Sequence, residues 1–144
     1  MRVRRMASSI LGMLATAALY GCGSGSNYNE IPILTGSYTG RFVQITRMAT
    51  ETGTMSVVIG PDHRLAGTVF NETRAADGVV VGDIENGAVL DATLTYPDAE
   101  YRLTGKIGKD DRQYIVGALS VRNSAGTSVA TLSVDLEPTG SATE

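Results

Sequence analysis

The sequence predicts an all-β domain, a single antiparallel up-and-down eight-stranded β-barrel, and three observations carry that prediction. Over residues 34–138 no helical hydrophobic period appears, whereas apolar and polar residues alternate as they do in strands with one buried face. The alternation is broken at short intervals by "GPDH", "RAADG", "ENG", "YPDAE", "GKDD" and "NSAG", each rich in residues that turns require. None of these connections is long enough for a crossover helix, so neighbouring strands pair antiparallel. A meander closed on itself is the simplest outcome. A β-sandwich is the alternative, although it more often has longer connections between its sheets.

Eight strands follow in order. The first, 36–46, places Tyr38, Gly40 and Phe42 on one face, and the second covers 54–60. The third, 64–71, groups Leu65, Gly67 and Val69; the fourth, 78–85, groups Val80, Gly82 and Ile84. Asn86-Gly87 then signals a two-residue type I′ hairpin, because both central residues of that turn need positive φ. The fifth strand is 88–96. In the sixth, 100–107, Tyr101, Leu103, Gly105 and Ile107 oppose Glu100, Arg102, Thr104 and Lys106. The seventh, 113–122, aligns Ile115, Gly117, Leu119 and Val121, and the eighth is 127–137. Side chains alternate across a strand, so the apolar sets face inward and carry five mid-strand glycines with them.

Those inward glycines have two readings. Glycine relieves crowding where strands bend to close a small barrel. Alternatively, five missing side chains leave a hollow waist for one small apolar ligand. The many Leu, Val, Ile and Tyr residues on the same face favour the first. A degenerate repeat accompanies the strands: "GTMSVVIGP" (53–61), "GAVLDATLTYP" (87–97) and "GTSVATLSVDLEP" (126–138) each run from Gly to Pro, with glycine-centred strand pairs between them. It reads as a three-strand module used twice, with a shorter opening copy. A lipid-embedded barrel would be apolar outside with aromatic girdles. Here the outer face of the sixth strand carries Arg102 and Lys106, and the chain has two Phe, six Tyr and no Trp.

The barrel region is preceded by a segment of a different kind. "MRVRR" carries three arginines and no acid, and "MASSILGMLATAAL" follows without a charge. A basic start, an apolar stretch and small residues at a cut point make a secretory signal, and the stretch is too short to span a bilayer. Leu19, Tyr20 and Gly21 stand at the three positions before Cys22, the only cysteine. This arrangement resembles the lipobox of bacterial lipoproteins. The resemblance implies cleavage after residue 21 and a thioether-linked diacylglycerol on Cys22, with an N-acyl chain such as palmitate. Two or three chains anchor a protein stably where one does not, at roughly 0.8 kcal/mol per buried methylene. Gly23 follows in place of the Asp that often retains lipoproteins at the inner membrane, so in a Gram-negative host the resemblance implies the outer membrane. The expected domains are the signal peptide (1–21), acylated Cys22 with a Gly/Ser-rich tether (22–33), the barrel (34–138) and a disordered tail (139–144).

Without residues 1–21 the chain keeps nine basic against 15 acidic side chains, a net charge of −6. That balance argues against nucleic acid as a partner. A single cysteine excludes an intramolecular disulfide. The one histidine, His63, follows Asp62 in "GPDHRL", where a carboxylate and an imidazole invite a catalytic reading; neighbours in a tight turn rarely face each other, so a solvated hairpin tip is preferred. With Cys22 acylated, thiol catalysis and the usual zinc ligand sets are missing. Asp83, Glu85 and Asp91 gather around one hairpin and Asp110 and Asp111 in another, beside Lys106, Lys109 and Arg112, without the spacing of a calcium loop. Asn71-Glu72-Thr73 matches the N-glycosylation sequon, a pattern that usually carries no sugar in a bacterial lipoprotein.

At the level of architecture, "GSYTGRF" followed by apolar-x-Gly-x-apolar strands looks like the lipocalin and avidin-type barrels, and like small bacterial lipoproteins with Gly-rich meander barrels. The tryptophans that mark ligand binding in the former are missing, so no binding residue carries over. The sequence therefore leads to a membrane-anchored, non-catalytic binding or interaction module of the cell envelope. It needs no cofactor or metal, and its partners are the lipid membrane, through Cys22, and an envelope protein or polymer. The alternative is a lipocalin-like carrier of a small apolar ligand; a hydrolase is less favoured.

Overall fold

The computed structural model describes residues 34–86 and 88–140. The signal segment, Leu19, Tyr20, Gly21, Cys22, the tether and the tail from residue 141 lie outside the described residues. The strands are β1 (Gly36–Thr46), β2 (Thr50–Ile59), β3 (Arg64–Asn71), β4 (Ala76–Glu85), β5 (Val89–Tyr96), β6 (Ala99–Lys109), β7 (Ile115–Arg122) and β8 (Ser128–Thr139). Each pairs antiparallel with its chain neighbours, and β1 pairs with β8 from Ser37↔Thr139 to Thr46↔Ala130. That last ladder decides for the barrel over the sandwich, because it leaves no open edge. The three Gly-to-Pro segments fall on β2, β5 and β8.

Alternation settles the faces. Tyr38, Phe42, Leu65, Val69, Val80, Ile84, Leu103, Ile107, Ile115 and Leu119 are all buried, and the glycines between them point inward with them. They do not leave a hollow. A Cβ on Gly40 would run into the Asp135 carbonyl oxygen and one on Gly67 into that of Ser56, so adjacent strands have closed onto the space. Close approach of backbones at barrel bends is the reason for glycine there. The interior void between Met55, Val80, Leu103, Leu119 and their neighbours is about 20 Å³, on the order of one water.

Three connections are built alike. In 60–64, 110–114 and 123–127 the first residue's N–H donates to the carbonyl of the fifth, and the fourth residue's N–H donates back to the carbonyl of the first. The fourth residue sits in the left-handed region: His63 (φ 65°), Gln113 (φ 66°) and Gly126 (φ 79°). An acceptor side chain braces each loop, Asp62 Oδ1 to the Arg64 N–H, Asp110 Oδ1 to those of Arg112 and Tyr114, and Asn123 Oδ1 to those of Ala125 and Thr127.

Four local expectations shift. The Asn86-Gly87 connection is three residues long, since Glu85 pairs with Val89 and Ala88 takes the positive φ of 59°. Ala88 is buried in the barrel end and its carbonyl accepts the Ile107 N–H at 3.0 Å, contacts that draw the extra residue inward. The β3–β4 turn lies at 72–75 and takes in only Arg74 and Ala75 of "RAADG", because Asn71 Oδ1 accepts the Arg74 N–H (3.0 Å) and Ala75 reverses the chain with φ 51°. β2 begins at Thr50, because Thr46 Oγ1 accepts the N–H groups of Met48 and Ala49 and turns the chain early. β8 runs on through Pro138, opposite Tyr38. There β7 has already ended at Ile115↔Leu136, so the missing N–H of proline faces no neighbour strand.

Candidate functional site

The two ends of the barrel differ in chemistry. One end gathers the starts of β1, β3, β5 and β7; it is where residue 34 enters, and it is here called the tether end. Leu34, Ile59, Leu65, Ile84 and Ala88 are buried there and seal it with apolar side chains. The opposite, far end is formed by the connections 47–49, 72–75, 97–98 and 123–127. Inward positions at that end carry Gln44, Glu51, Asn71, Tyr96 and Tyr101, and Arg74 reaches in from the β3–β4 turn.

These side chains form one network centred on Glu51. Its Oε2 accepts from Asn71 Nδ2 (2.8 Å) and Gln44 Nε2 (3.5 Å) and pairs with Arg74 Nε at 3.2 Å. Asn71 is fully buried and Gln44 is 5% exposed, the only polar members of the buried set among the described residues. Arg74 lies over the Tyr96 ring with its guanidinium carbon 4.6 Å from the centroid, and Tyr96 meets Tyr101 edge-on at 6.3 Å. Burial works against the Arg74 charge, but Glu51, Tyr96 and Tyr101 outweigh it and hold its pKa above the ordinary value. Burial pushes the Tyr96 phenol up. The Tyr96 hydroxyl is enclosed and makes no hydrogen bond among the described residues. Above the network opens a cleft of about 530 Å³, lined by Gln44, Thr46, Arg47, Met48, Glu51, Arg74, Tyr101, Asn123 and Val129 among others.

A second hollow, about 500 Å³, lies on the outer wall between Thr54, Thr68, Phe70, Val79 and Pro97. Phe70, Val79, Val81 and Val58 are exposed on that wall. Its lining brings together no charged network, and the mouth is the better candidate because its polar groups converge.

The residues singled out in the sequence lie elsewhere. His63 is at a tether-end hairpin tip, and Asp62 turns to Arg64 (3.8 Å) rather than to the imidazole. Asp91 is held by Arg102 through two bonds of 2.8 and 2.6 Å, and Asp83 lies 3.8 Å from Arg64. Asp110 binds Arg112, and Asp111 is exposed beside it. No group of three His, Cys, Asp or Glu side chains among the described residues is placed to hold a metal ion. The sequon asparagine, Asn71, is fully buried and its amide is bonded to Glu51, which leaves no acceptor for a sugar in the folded protein. Sequence reading missed the collar itself. Its one signal was a polar residue at the inward end of each of β1, β2 and β3. Comparison of the chain with family models, curated proteins and solved structures gives no match.

Proposed function

We propose that the chain is an exported lipoprotein, anchored through acylated Cys22, whose barrel is a non-catalytic module that binds its partner at the far rim. The observation that carries the reading is the opposition of the two ends: residue 34 enters at the sealed end, while the polar collar and its cleft occupy the other. A Gly/Ser-rich linker of the length of residues 23–33 would reach about 15–20 Å, so the end at which residue 34 enters would lie nearest the lipid. That end carries Asp62, Asp83, Glu85, Asp110, Asp111, Asp135 and Glu137 against Arg64, Lys106, Lys109 and Arg112. An excess of acid there is repelled by anionic headgroups, which favours presentation of the far rim. Carriage of an apolar ligand inside the barrel receives less support, because known small-molecule sites occupy about 300–1,000 Å³ and the interior void is about 20 Å³.

The test has two arms. Mass spectrometry of the protein extracted from its native membrane is expected to show a mature chain starting at Cys22 with acyl mass, and Cys22→Ser is expected to leave the membrane fraction. Photo-crosslinkers at Met48 on the far rim and Asp111 on the tether end are then compared in intact cells. A partner joined only at the far rim supports the reading. An unacylated chain overturns the anchor, and capture only at the tether end overturns the orientation.

A further inference from the structure

We propose that the far-end mouth is a saccharide site that takes a single pyranose ring, an assignment that rests on the rim-binding reading above. The collar is not needed to close the fold. The tether end shows that apolar side chains seal this barrel, and exchanging a buried ionic network for apolar residues is often neutral or stabilising. A polar collar built around Glu51 therefore calls for a ligand. Its free valences say which kind. All three contacts to Glu51 converge on Oε2, and Oε1 receives no donor among the described residues. The Gln44 side-chain amide oxygen likewise receives no donor among the described residues, and Arg74 meets Glu51 through its Nε.

The cleft is thus lined by acceptors and donors together. A simple anion would meet the Glu51 carboxylate, and a simple cation would meet Arg74 and Arg47. A hydroxyl both donates and accepts, so a ring bearing several hydroxyls matches the set where either ion is opposed. Tyr101, Met48 and Val129 supply an apolar side to the same cleft for the C–H face of the ring.

The test uses the full chain in a detergent without a sugar headgroup, titrated by NMR with methyl glucoside, methyl galactoside, methyl mannoside and N-acetylglucosamine. Acetate and tetramethylammonium serve as charge controls. At least one pyranoside is expected to shift the side-chain amides of Gln44 and Asn71 saturably, with neither ion doing so. Glu51→Gln, checked for folding by its thermal melt, is expected to raise the dissociation constant about tenfold, or about 1.4 kcal/mol. Met48→Ser, which removes part of the apolar side at an exposed rim position, is expected to weaken binding as well, while Asp135→Asn near the tether end leaves it unchanged. Repeating the titration with a chain of the same sugar separates two sources: affinity that grows with chain length points to the end of a glycan, and constant affinity to a free sugar. Silence from every pyranoside, or equal shifts with acetate, overturns the saccharide assignment. If the Met48 crosslinker still captures a partner in that case, the rim reading survives and only the ligand class falls.

Discussion

Asn71→Asp is nearly isosteric, yet it should turn the centre of the far-end collar against itself. The Asn71 amide donates to Glu51 Oε2 at 2.8 Å from a fully buried side chain. Losing a hydrogen bond to a charged group costs about 1.5–3 kcal/mol. Two carboxylates about 3 Å apart also repel by about 5 kcal/mol at an effective dielectric constant of 20, of which Arg74, 3.2 Å from Glu51, offsets about half. The sum is about 4 kcal/mol near neutral pH, a large share of the roughly 5–15 kcal/mol available to a domain. The penalty has a signature. One carboxyl of the folded variant keeps its proton to higher pH than in the unfolded chain, so the native state binds more protons and stability falls as pH rises. Below the unfolded carboxyl pKa of about 4 the repulsion is absent, and above the raised folded value it is complete. Urea unfolding at a series of pH values reads this directly: near neutrality the variant midpoint should drop by about 2 M at a slope of about 2 kcal/mol per M. It should recover towards that of Asn71→Ala in acid. A variant as stable as the parent at pH 7, with no pH-dependent gap, would refute the placement of Asn71 against Glu51.

Other predictions follow from the loops, the strand bends and the ion pairs. His63→Gly and Gln113→Gly relieve left-handed strain of about 1 kcal/mol and lose part of it to unfolded-state entropy. Each should raise the melting temperature by about 2–4 °C, additively because they lie in separate hairpins, whereas Gly126→Ala should lower it. Gly67→Ala drives a Cβ into the Ser56 carbonyl and to 2.8 Å from the Val57 Cα, and should cost about 3 kcal/mol in a denaturant titration; an unchanged midpoint would mean that β2 and β3 are not so close. The Arg102 hydrogen bonds hold the Asp91 carboxyl below its usual range, so the stability that this pair adds is present above the unfolded pKa and fades as pH falls through the lower folded value. Asp91→Asn should flatten that part of the acid unfolding curve.

Local chemistry alone carries the strand pattern. Alternation with period two sorts Tyr101, Leu103 and Ile107 from Arg102 and Lys106 wherever the strand lies, and turn residues cut the alternation into eight pieces. The basic, apolar and small-residue order before Cys22 is likewise local, as is the expectation of an acyl anchor. Closure required the β1–β8 ladder, which joins the two ends of the domain and has no trace in any short window. The β3–β4 turn moved because Asn71 accepts a hydrogen bond three residues on, in competition with the glycine and aspartate of "RAADG". The β4–β5 loop grew by one residue because the barrel end had room for the Ala88 side chain. The collar was hidden for the same reason. Gln44, Glu51, Asn71 and Arg74 come from three strands and one turn, and each alone looks like a polar residue at a strand end. Only the pairing of β1 with β2 and of β2 with β3 brings them within hydrogen-bonding distance of one carboxylate, because their meeting is set by register between strands and not by spacing along the chain.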